Sequence, residues 1–369
     1  MIARPTDQHT QLLRAALLQG EPALAAWRAW RASVDLDRLD PASTSLLPLL
    51  GRNLLAHDVT AADLRFFRWV HRGVWAENMR RFDAAARVLA ACRAEGLETM
   101  LLKGAALATT AYPDAGLRAM VDVDLLVRPA AAAGAMRLLR NRGWTPVGWA
   151  PFCRAPEMTL PVRHSHAFAH ASGQQIDLHW HILWHTCRDG DDDGCWVRSR
   201  AVVMHGVETR VLAPADQLLH ACVLAGRWEV VPNLRWAADA LAVLAAPAGV
   251  EWPVLLEEAR ARRVAPVVAA ALDWLARMLD APVPADVLEA LRTSPSTSVE
   301  RLQSRLESRP HGRAGALGLL ALHQVRVARA SGGWPLLGLP AYLRRMYEVE
   351  RPSQWRPLLA HAWRRGAAV

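Results

Sequence analysis

The chain has 369 residues, 52% of them hydrophobic and 21% charged, an ordinary globular composition with room for two or three packed units. The sequence contains no run of about 18 uncharged apolar residues, which argues against a membrane span. The formal net charge of +9 comes from 43 arginines and one lysine that are scattered along the chain, which argues against a nucleic-acid partner.

Cysteine usage and the N-terminal residues bear on the cellular compartment. The N-terminal stretch contains no apolar segment of the signal-peptide type. The cysteines form an odd, scattered set that does not indicate a disulfide framework, so we expect a reduced, cytoplasmic protein. These cysteines are Cys92, Cys153, Cys187, Cys195 and Cys222.

Residues 1–95 are predicted to form a helical region. Apolar residues recur at three- and four-residue spacing in LLRAALL and SLLPLLGRNLLAH. Residues 63–95 continue this pattern over a longer stretch, so we predict one long amphipathic helix there, broken at most once.

Residues 96–212 carry the patterns of a small α/β core. The apolar ETMLL before Lys103 predicts a strand, and residues 105–111 predict a short helix. MVDVDLLV alternates strictly and predicts a second strand. A helix of about 13 residues is predicted to begin at Pro129, because proline suits a first helical position.

Two strand pairs are predicted to complete this core. The first pair occupies residues 164–171 and 174–180 with a hairpin turn at Ser172-Gly173, and the second occupies 201–212 with a turn at Gly206. Between the pairs, RDGDDDG is interpreted as a solvated acidic loop.

Residues 213–369 return to helical patterns. ADQLLHACVLAG, NLRWAADALAVL, WPVLLEEARARR and APVVAAALDWLARML each carry an apolar stripe. Arg235 and Asp239, four residues apart, are interpreted as an ordinary helix-surface pair. The sequence thus predicts an α+β protein, in which a small mixed β-sheet core at 96–212 lies between two helical regions.

The strand MVDVDLLV places two carboxylates on one face. Side chains alternate along a strand, so Asp122 and Asp124 share one face and the apolar residues, from Val121 onward, share the other. Like charges this close repel each other unless a cation neutralises them. Oxygen ligands of this kind suit Mg²⁺, although an exposed strand face is the plainer interpretation of this motif alone.

Two other motifs add to the carboxylates. LLKG is a strand that runs into Lys103-Gly104 and then a helix, an arrangement that binds phosphate through backbone N–H groups. In QIDLHW, Asp177 and His179 share one face of a later strand, where Asp177 can point toward the first two carboxylates. The alternative for Lys103-Gly104 is an ordinary tight turn. The alternative for Asp177 is an ordinary exposed strand residue.

The histidines between residues 164 and 185 do not match a familiar zinc pattern. His179 and His181 share the face of Asp177 and are therefore candidates for the acceptor side of a cleft, where a histidine can take up a proton. Polar strand residues near water are the alternative.

Taken together, these motifs resemble a known superfamily. LLKGAALATTAYPDAGLRAMVDVDLLV is similar to the signature of the DNA polymerase β-type nucleotidyltransferases. It resembles most the bacterial branch of uncharacterised nucleotidyltransferases, in which Lys-Gly opens the motif and an arginine precedes the aspartates. The resemblance covers roughly residues 97–245, including the helical stretch PADQLLHACVLAGRWEVVPNLRWAADALAVL.

The resemblance implies a role for each matching residue. Asp122, Asp124 and Asp177 would bind two catalytic Mg²⁺ ions, for which Mn²⁺ can substitute, and Asp177 would help to activate the attacking hydroxyl. The superfamily at large has Gly-Ser where this chain has Lys-Gly, so an ammonium group stands in for a serine hydroxyl. The residues that would contact the nucleotide are Lys103, Gly104 and Arg118.

The expected reaction is an in-line displacement in which an acceptor hydroxyl attacks the α-phosphorus of an NTP and pyrophosphate leaves. The acceptor stays open among a small metabolite, a peptide or natural-product intermediate, a protein side chain and an RNA end. Two other hypotheses stay open as well, namely an inactive binding module with the same fold and a basic nucleic-acid-binding regulator.

Overall fold

The computed structural model describes residues 1–55, 57, 59–148, 154–185, 188–310, 312–330 and 338–357. Cys153 and Cys187 lie outside these ranges, and Cys92, Cys195 and Cys222 are buried free thiols. The helices, in chain order, are α1 (Asp7–Leu17), α2 (Gly20–Ser33), α3 (Pro41–Thr44), α4 (Leu47–Leu54), α5 (Ala61–Ala94), α6 (Lys103–Thr110), α7 (Ala132–Asn141), α8 (Asp193–Arg198), α9 (Pro214–Leu224), α10 (Arg235–Ala245), α11 (Trp252–Ala261), α12 (Ala265–Leu279), α13 (Ala285–Arg292), α14 (Ser298–Glu307), α15 (Arg313–Ala330) and α16 (Leu339–Met346). The strands are β1 (Thr99–Leu101), β2 (Val123–Val127), β3 (Trp144–Pro146), β4 (Ser165–His170), β5 (Gln175–His179), β6 (Arg200–Met204) and β7 (Val207–Val211).

These elements group into two compact units whose segments alternate along the chain. The first unit comprises residues 1–80, 103–120 and 212–310. The second unit comprises residues 81–102, 121–211 and the described residues after 311. The division of the sequence into regions 1–95, 96–212 and 213–369 stays a prediction.

The long helix predicted from the sequence is confirmed. Helix α5 runs unbroken for 34 residues. Its apolar residues recur at helical spacing. Two of them, Phe67 and Leu89, are buried, with 2% and 1% of their surface exposed. None of the described helices combines the length and the apolar character needed to cross a bilayer.

Helix α4 approaches α5 closely at Gly51. A Cβ atom at Gly51 would lie 2.4 Å from the Cβ of Phe67, and no side-chain rotation relieves a contact between two Cβ atoms. We expect Gly51→Ala to lower the free energy of unfolding by about 1–3 kcal/mol through overpacking, measured by urea unfolding.

The control for this substitution is Gly73→Ala on helix α5, against which Gly51 of α4 packs. No atom lies within 4 Å of a Cβ built at Gly73, so this change is expected to be neutral or stabilising, because alanine favours a helix over glycine. An equal effect of the two substitutions would contradict the close approach.

The second unit is built on a seven-stranded mixed sheet with the order β3-β4-β5-β2-β1-β7-β6. Strand β2 pairs in parallel with β5 and antiparallel with β1, and all five of its residues are buried. The predicted α+β class with a small mixed sheet is confirmed. The predicted strand extent is wrong at Val121, which lies before β2 and is 65% exposed.

Both predicted hairpins are confirmed. Strands β4 and β5 pair antiparallel across a turn in which Gly173 has a φ of 83°. Strands β6 and β7 turn at His205-Gly206, with φ values of 46° and 80°, as a tight turn with two left-handed central residues requires. Helix α8, which begins at Asp193 inside the stretch predicted as an acidic loop, was not predicted from the sequence.

Candidate active site

Two aspartates lie side by side at the centre of the sheet. Asp124 of β2 and Asp177 of β5 are direct partners in the parallel register. Neighbouring strands in a sheet lie about 4.8 Å apart, so partners in register present their side chains together on one face. The Asp124 side chain is 7% exposed and that of Asp177 is 20% exposed, so a solvated strand face does not describe them.

His179 connects the two carboxylates. Its Nε2 atom lies 3.1 Å from Oδ1 of Asp124 and 3.0 Å from Oδ2 of Asp177, and its side chain is fully buried. Its Nδ1 atom lies 3.3 Å from the carbonyl oxygen of His181. Both ring nitrogens therefore face oxygen atoms, and Nε2 is the atom that lies between the two carboxylates.

Neighbouring groups fix the orientation of this cluster. The hydroxyl of Ser165 on β4 donates to Oδ2 of Asp177 at 3.2 Å. The rings of His164 and His179 pack edge to face with centroids 5.3 Å apart. The backbone N–H of Leu102 donates to the carbonyl oxygen of Asp124 at 3.0 Å, which ties the end of β1 to β2. Ser165 is a site residue that the sequence did not indicate.

The cluster has the donor set of a divalent cation site. One ligand atom each from Asp124, Asp177 and His179 lie within 4.8 Å of one another, and carboxylate oxygens with an imidazole nitrogen are ligands that divalent metals accept. Asp122 lies immediately before β2, is partly exposed, and does not belong to this group of three ligand atoms. The position of His179, two residues after Asp177 on the same strand face, is the sequence signal for this ligand.

His181, predicted on the acceptor side, is buried and pairs with the acidic loop. Its Nδ1 atom lies 3.4 Å from Oδ2 of Asp192, and the same oxygen accepts the N–H of Ile182 at 3.1 Å. Asp192 is 4% exposed, so the interpretation of the loop as solvated is wrong at this residue. The Asp192 carboxylate instead contacts His181 and Ile182, in the segment that follows β5.

Lys103 and Gly104 lie in the first unit, at the start of α6. Lys103 has a φ of 45°, a left-handed conformation that costs free energy in any residue with a side chain and often accompanies a functional site. Gly104 is buried, and a Cβ there would lie 2.7 Å from Cγ of Met120 and 3.3 Å from Nη1 of Arg118. Close packing against the side chains of Met120 and Arg118 therefore explains why residue 104 is a glycine.

This contact predicts a coupling between Gly104 and Met120. We expect Gly104→Ala to lower the free energy of unfolding by about 1–3 kcal/mol in the wild-type chain. In a Met120→Ala background, Gly104→Ala should lower the free energy of unfolding by clearly less, because Cγ and Sδ of Met120 are then absent. Urea unfolding of the four proteins of this double-mutant cycle measures the coupling, and purely additive costs would contradict it.

Arg118, predicted to contact phosphate, is anchored inside the first unit. Its Nε and Nη2 atoms donate to the two carboxylate oxygens of Asp239 at 2.6 and 2.7 Å. The Tyr112 hydroxyl donates to Oδ1 of Asp239 at 2.9 Å, and Asn78 donates to the carbonyl oxygen of Arg118 at 2.8 Å. Burial, and then the negative charge of Asp239, raise the pKa of Tyr112 well above its usual value, so this hydroxyl stays a donor.

The environment of Asp239 corrects the sequence interpretation. Asp239 is 3% exposed, so it does not form part of a helix-surface pair with Arg235. Arg235 donates instead to the carbonyl oxygen of Ala119 at 3.1 Å. The segment that precedes the first aspartate is thus held by buried, charge-assisted hydrogen bonds that helical spacing alone does not reveal.

A mixed sheet with paired carboxylates on adjacent strands is what a nucleotidyltransferase is expected to have. Residues 42–280 match the sequence profile of a family described as uncharacterised nucleotidyltransferase, and the chain belongs to this family. A solved structure similar to the chain is an antigenic nucleotidyltransferase-like protein from Paracoccidioides brasiliensis, with 12% identity and a TM-score of 0.33 over 59% of this chain and 94% of that chain. No curated protein matches the chain in sequence.

Proposed function

We propose that the protein transfers a nucleoside monophosphate from an NTP to an acceptor hydroxyl and releases pyrophosphate. The observation that carries this proposal is the pair of buried carboxylates, Asp124 and Asp177, in register on parallel strands. Two buried negative charges this close are costly unless a cation neutralises them, and a catalytic role explains why the fold keeps them. Membership in a nucleotidyltransferase family supports the same reaction class.

Each residue has a defined part in this proposal. Asp124, Asp177 and His179 would hold a divalent cation, and Asp122, two residues before Asp124, would add a ligand to a second ion. Mg²⁺ or Mn²⁺ at this site would stabilise charge on the attacking and leaving oxygens. Lys103, through its ammonium group, and Gly104, through its backbone N–H, are proposed to contact the phosphates, whereas Nε and Nη2 of Arg118 are bonded to Asp239.

The proposed transfer needs no reactant other than the NTP and the acceptor hydroxyl. Asp177, the more exposed of the two carboxylates and oriented by Ser165, accepts the proton of the acceptor hydroxyl. The hydroxyl oxygen forms a bond to the α-phosphorus as the bond from that phosphorus to the bridging oxygen of the β-phosphate breaks. The two terminal phosphates of the NTP leave as pyrophosphate.

Calorimetric titration of the whole chain with each NTP, with Mg²⁺, with Mn²⁺ and without metal, tests the proposal. Metal-dependent binding of one or more NTPs, followed by pyrophosphate release with acceptor, is the expected result. Metal-dependent binding with no pyrophosphate release for any acceptor class would favour an inactive binding module. Failure of every NTP to bind with either metal would overturn the nucleotide site.

A further inference from the structure

One face of α5 in the first unit carries three arginines and two tryptophans. We define the α5 face as Arg65, Arg68, Trp69, Arg72 and Trp75. An α-helix turns by about 100° per residue, so these five positions fall within an arc of about 120° and extend about 15 Å along the axis. The arginines are exposed, and Trp69 and Trp75 are 72% and 46% exposed.

The positive charge of the α5 face is not compensated by neighbouring acids. Within the described part of the chain, the guanidinium groups of Arg65, Arg68 and Arg72 make no ion pair or hydrogen bond. The acidic residues close to them in the fold already have basic partners. These pairs are Asp63 with Arg31, Asp114 with His71, and Glu77 with Arg80.

A cavity of about 450 Å³ opens beside this face, between α4, α5 and residues 113–117. Arg68 and Arg72 of the α5 face line it, Arg52 of α4 adds a third guanidinium, and Leu55, which is 55% exposed, contributes an apolar surface. Arg52 is exposed and, among the described residues, also has no ion-pair partner. The cavity therefore suits a ligand that combines negative charge with a planar or apolar part.

We infer that the α5 face binds single-stranded nucleic acid. Phosphates contact the three arginines, and bases stack on Trp69 and Trp75, because aromatic side chains beside cationic ones are how proteins bind single strands without reading their sequence. A base or sugar next to these phosphates occupies the cavity at Arg52. An acidic peptide would use the arginines but would leave both exposed indoles in water, so charge and aromatic surface together favour the nucleic acid.

Fluorescence anisotropy with labelled oligothymidylate and oligouridylate of about 12 nucleotides tests the inference. The whole chain is used without NTP or metal, so the result does not depend on the proposed transferase activity. The wild-type chain is expected to bind at low salt. Arg65→Gln/Arg68→Gln/Arg72→Gln should weaken binding at least about tenfold and reduce the slope of log affinity against log salt by about two, since each phosphate contact contributes about 0.7.

Three further variants distinguish specific binding by the α5 face from binding through net charge. Arg4→Gln/Arg38→Gln/Arg305→Gln removes three exposed arginines elsewhere in the same unit and should bind like the wild type. Trp69→Ala should weaken binding at least about fivefold through lost stacking, and Trp69→Phe should restore most of it.

Three results would overturn the inference. They are the absence of binding to both oligonucleotides at low salt, an equal loss in the two triple variants, and tighter binding of polyglutamate than of either oligonucleotide. The last result would assign the α5 face to an acidic protein. Circular dichroism of each variant confirms that these exposed substitutions leave the helices intact.

Discussion

Asp124→Asn is expected to abolish nucleotidyl transfer while the protein stays folded. The substitution keeps the size of the side chain but removes the charge of the more buried carboxylate, which lies 3.1 Å from Nε2 of His179. Loss of a metal ligand should weaken Mn²⁺ binding roughly a hundredfold or more. It should also remove several kcal/mol of transition-state stabilisation, on the order of a thousandfold in the rate of pyrophosphate release.

Calorimetry with Mn²⁺ and a pyrophosphate-release assay measure these two effects. Asp189→Asn in the exposed part of the acidic loop is the matched control, and it should change neither quantity. An unchanged urea midpoint for Asp124→Asn would show that the loss is chemical. Normal metal binding and near-normal transfer by Asp124→Asn would show that the catalytic site lies elsewhere.

Asp239→Ala is expected to lower the free energy of unfolding by about 3–5 kcal/mol, because it leaves the Arg118 guanidinium buried without its counter-charge. The Arg118 and Asp239 side chains are only 8% and 4% exposed, and the Tyr112 hydroxyl loses its acceptor in the same substitution. The midpoint and slope of urea unfolding give this quantity.

Two comparisons test the cause. Glu21→Ala removes the partner of Arg28 from a pair in which both side chains are mostly exposed, and no measurable shift is expected. Arg118→Met/Asp239→Leu removes both charges and should unfold less readily than Asp239→Ala. If Asp239→Ala costs no more than Glu21→Ala, the buried pair contributes no net stability.

The positions of most elements follow from local patterns. The run of apolar residues at helical spacing predicts α5, the hairpin residues Ser172-Gly173 and Gly206 predict their turns, and alternation in MVDVDLLV predicts β2. These features depend on residues that are close in the sequence, so the pattern contains the needed information. The ends of β2 are less certain from the pattern, since pairing with β1 and β5 decides where a strand begins.

The surface of α5 shows a limit of counting charges along the chain. Scattered arginines argue against a nucleic-acid partner when only linear runs are considered. On a helix, however, residues at spacings of three and four share a face, so Arg65, Arg68 and Arg72 form a cluster although no two of them are adjacent in sequence. Which face of the helix is exposed depends on its packing, and the sequence does not state it.

The sequence by itself determined the α+β class, the family signature and the identity of three candidate carboxylates, because each rests on short motifs of fixed spacing. Only the tertiary structure decided which of these groups meet. The parallel register of β2 and β5 sets Asp124 beside Asp177 and brings His179 between them. The pairing of Arg118 with Asp239 joins residues 121 positions apart, and no local pattern encodes a contact made by folding over that distance.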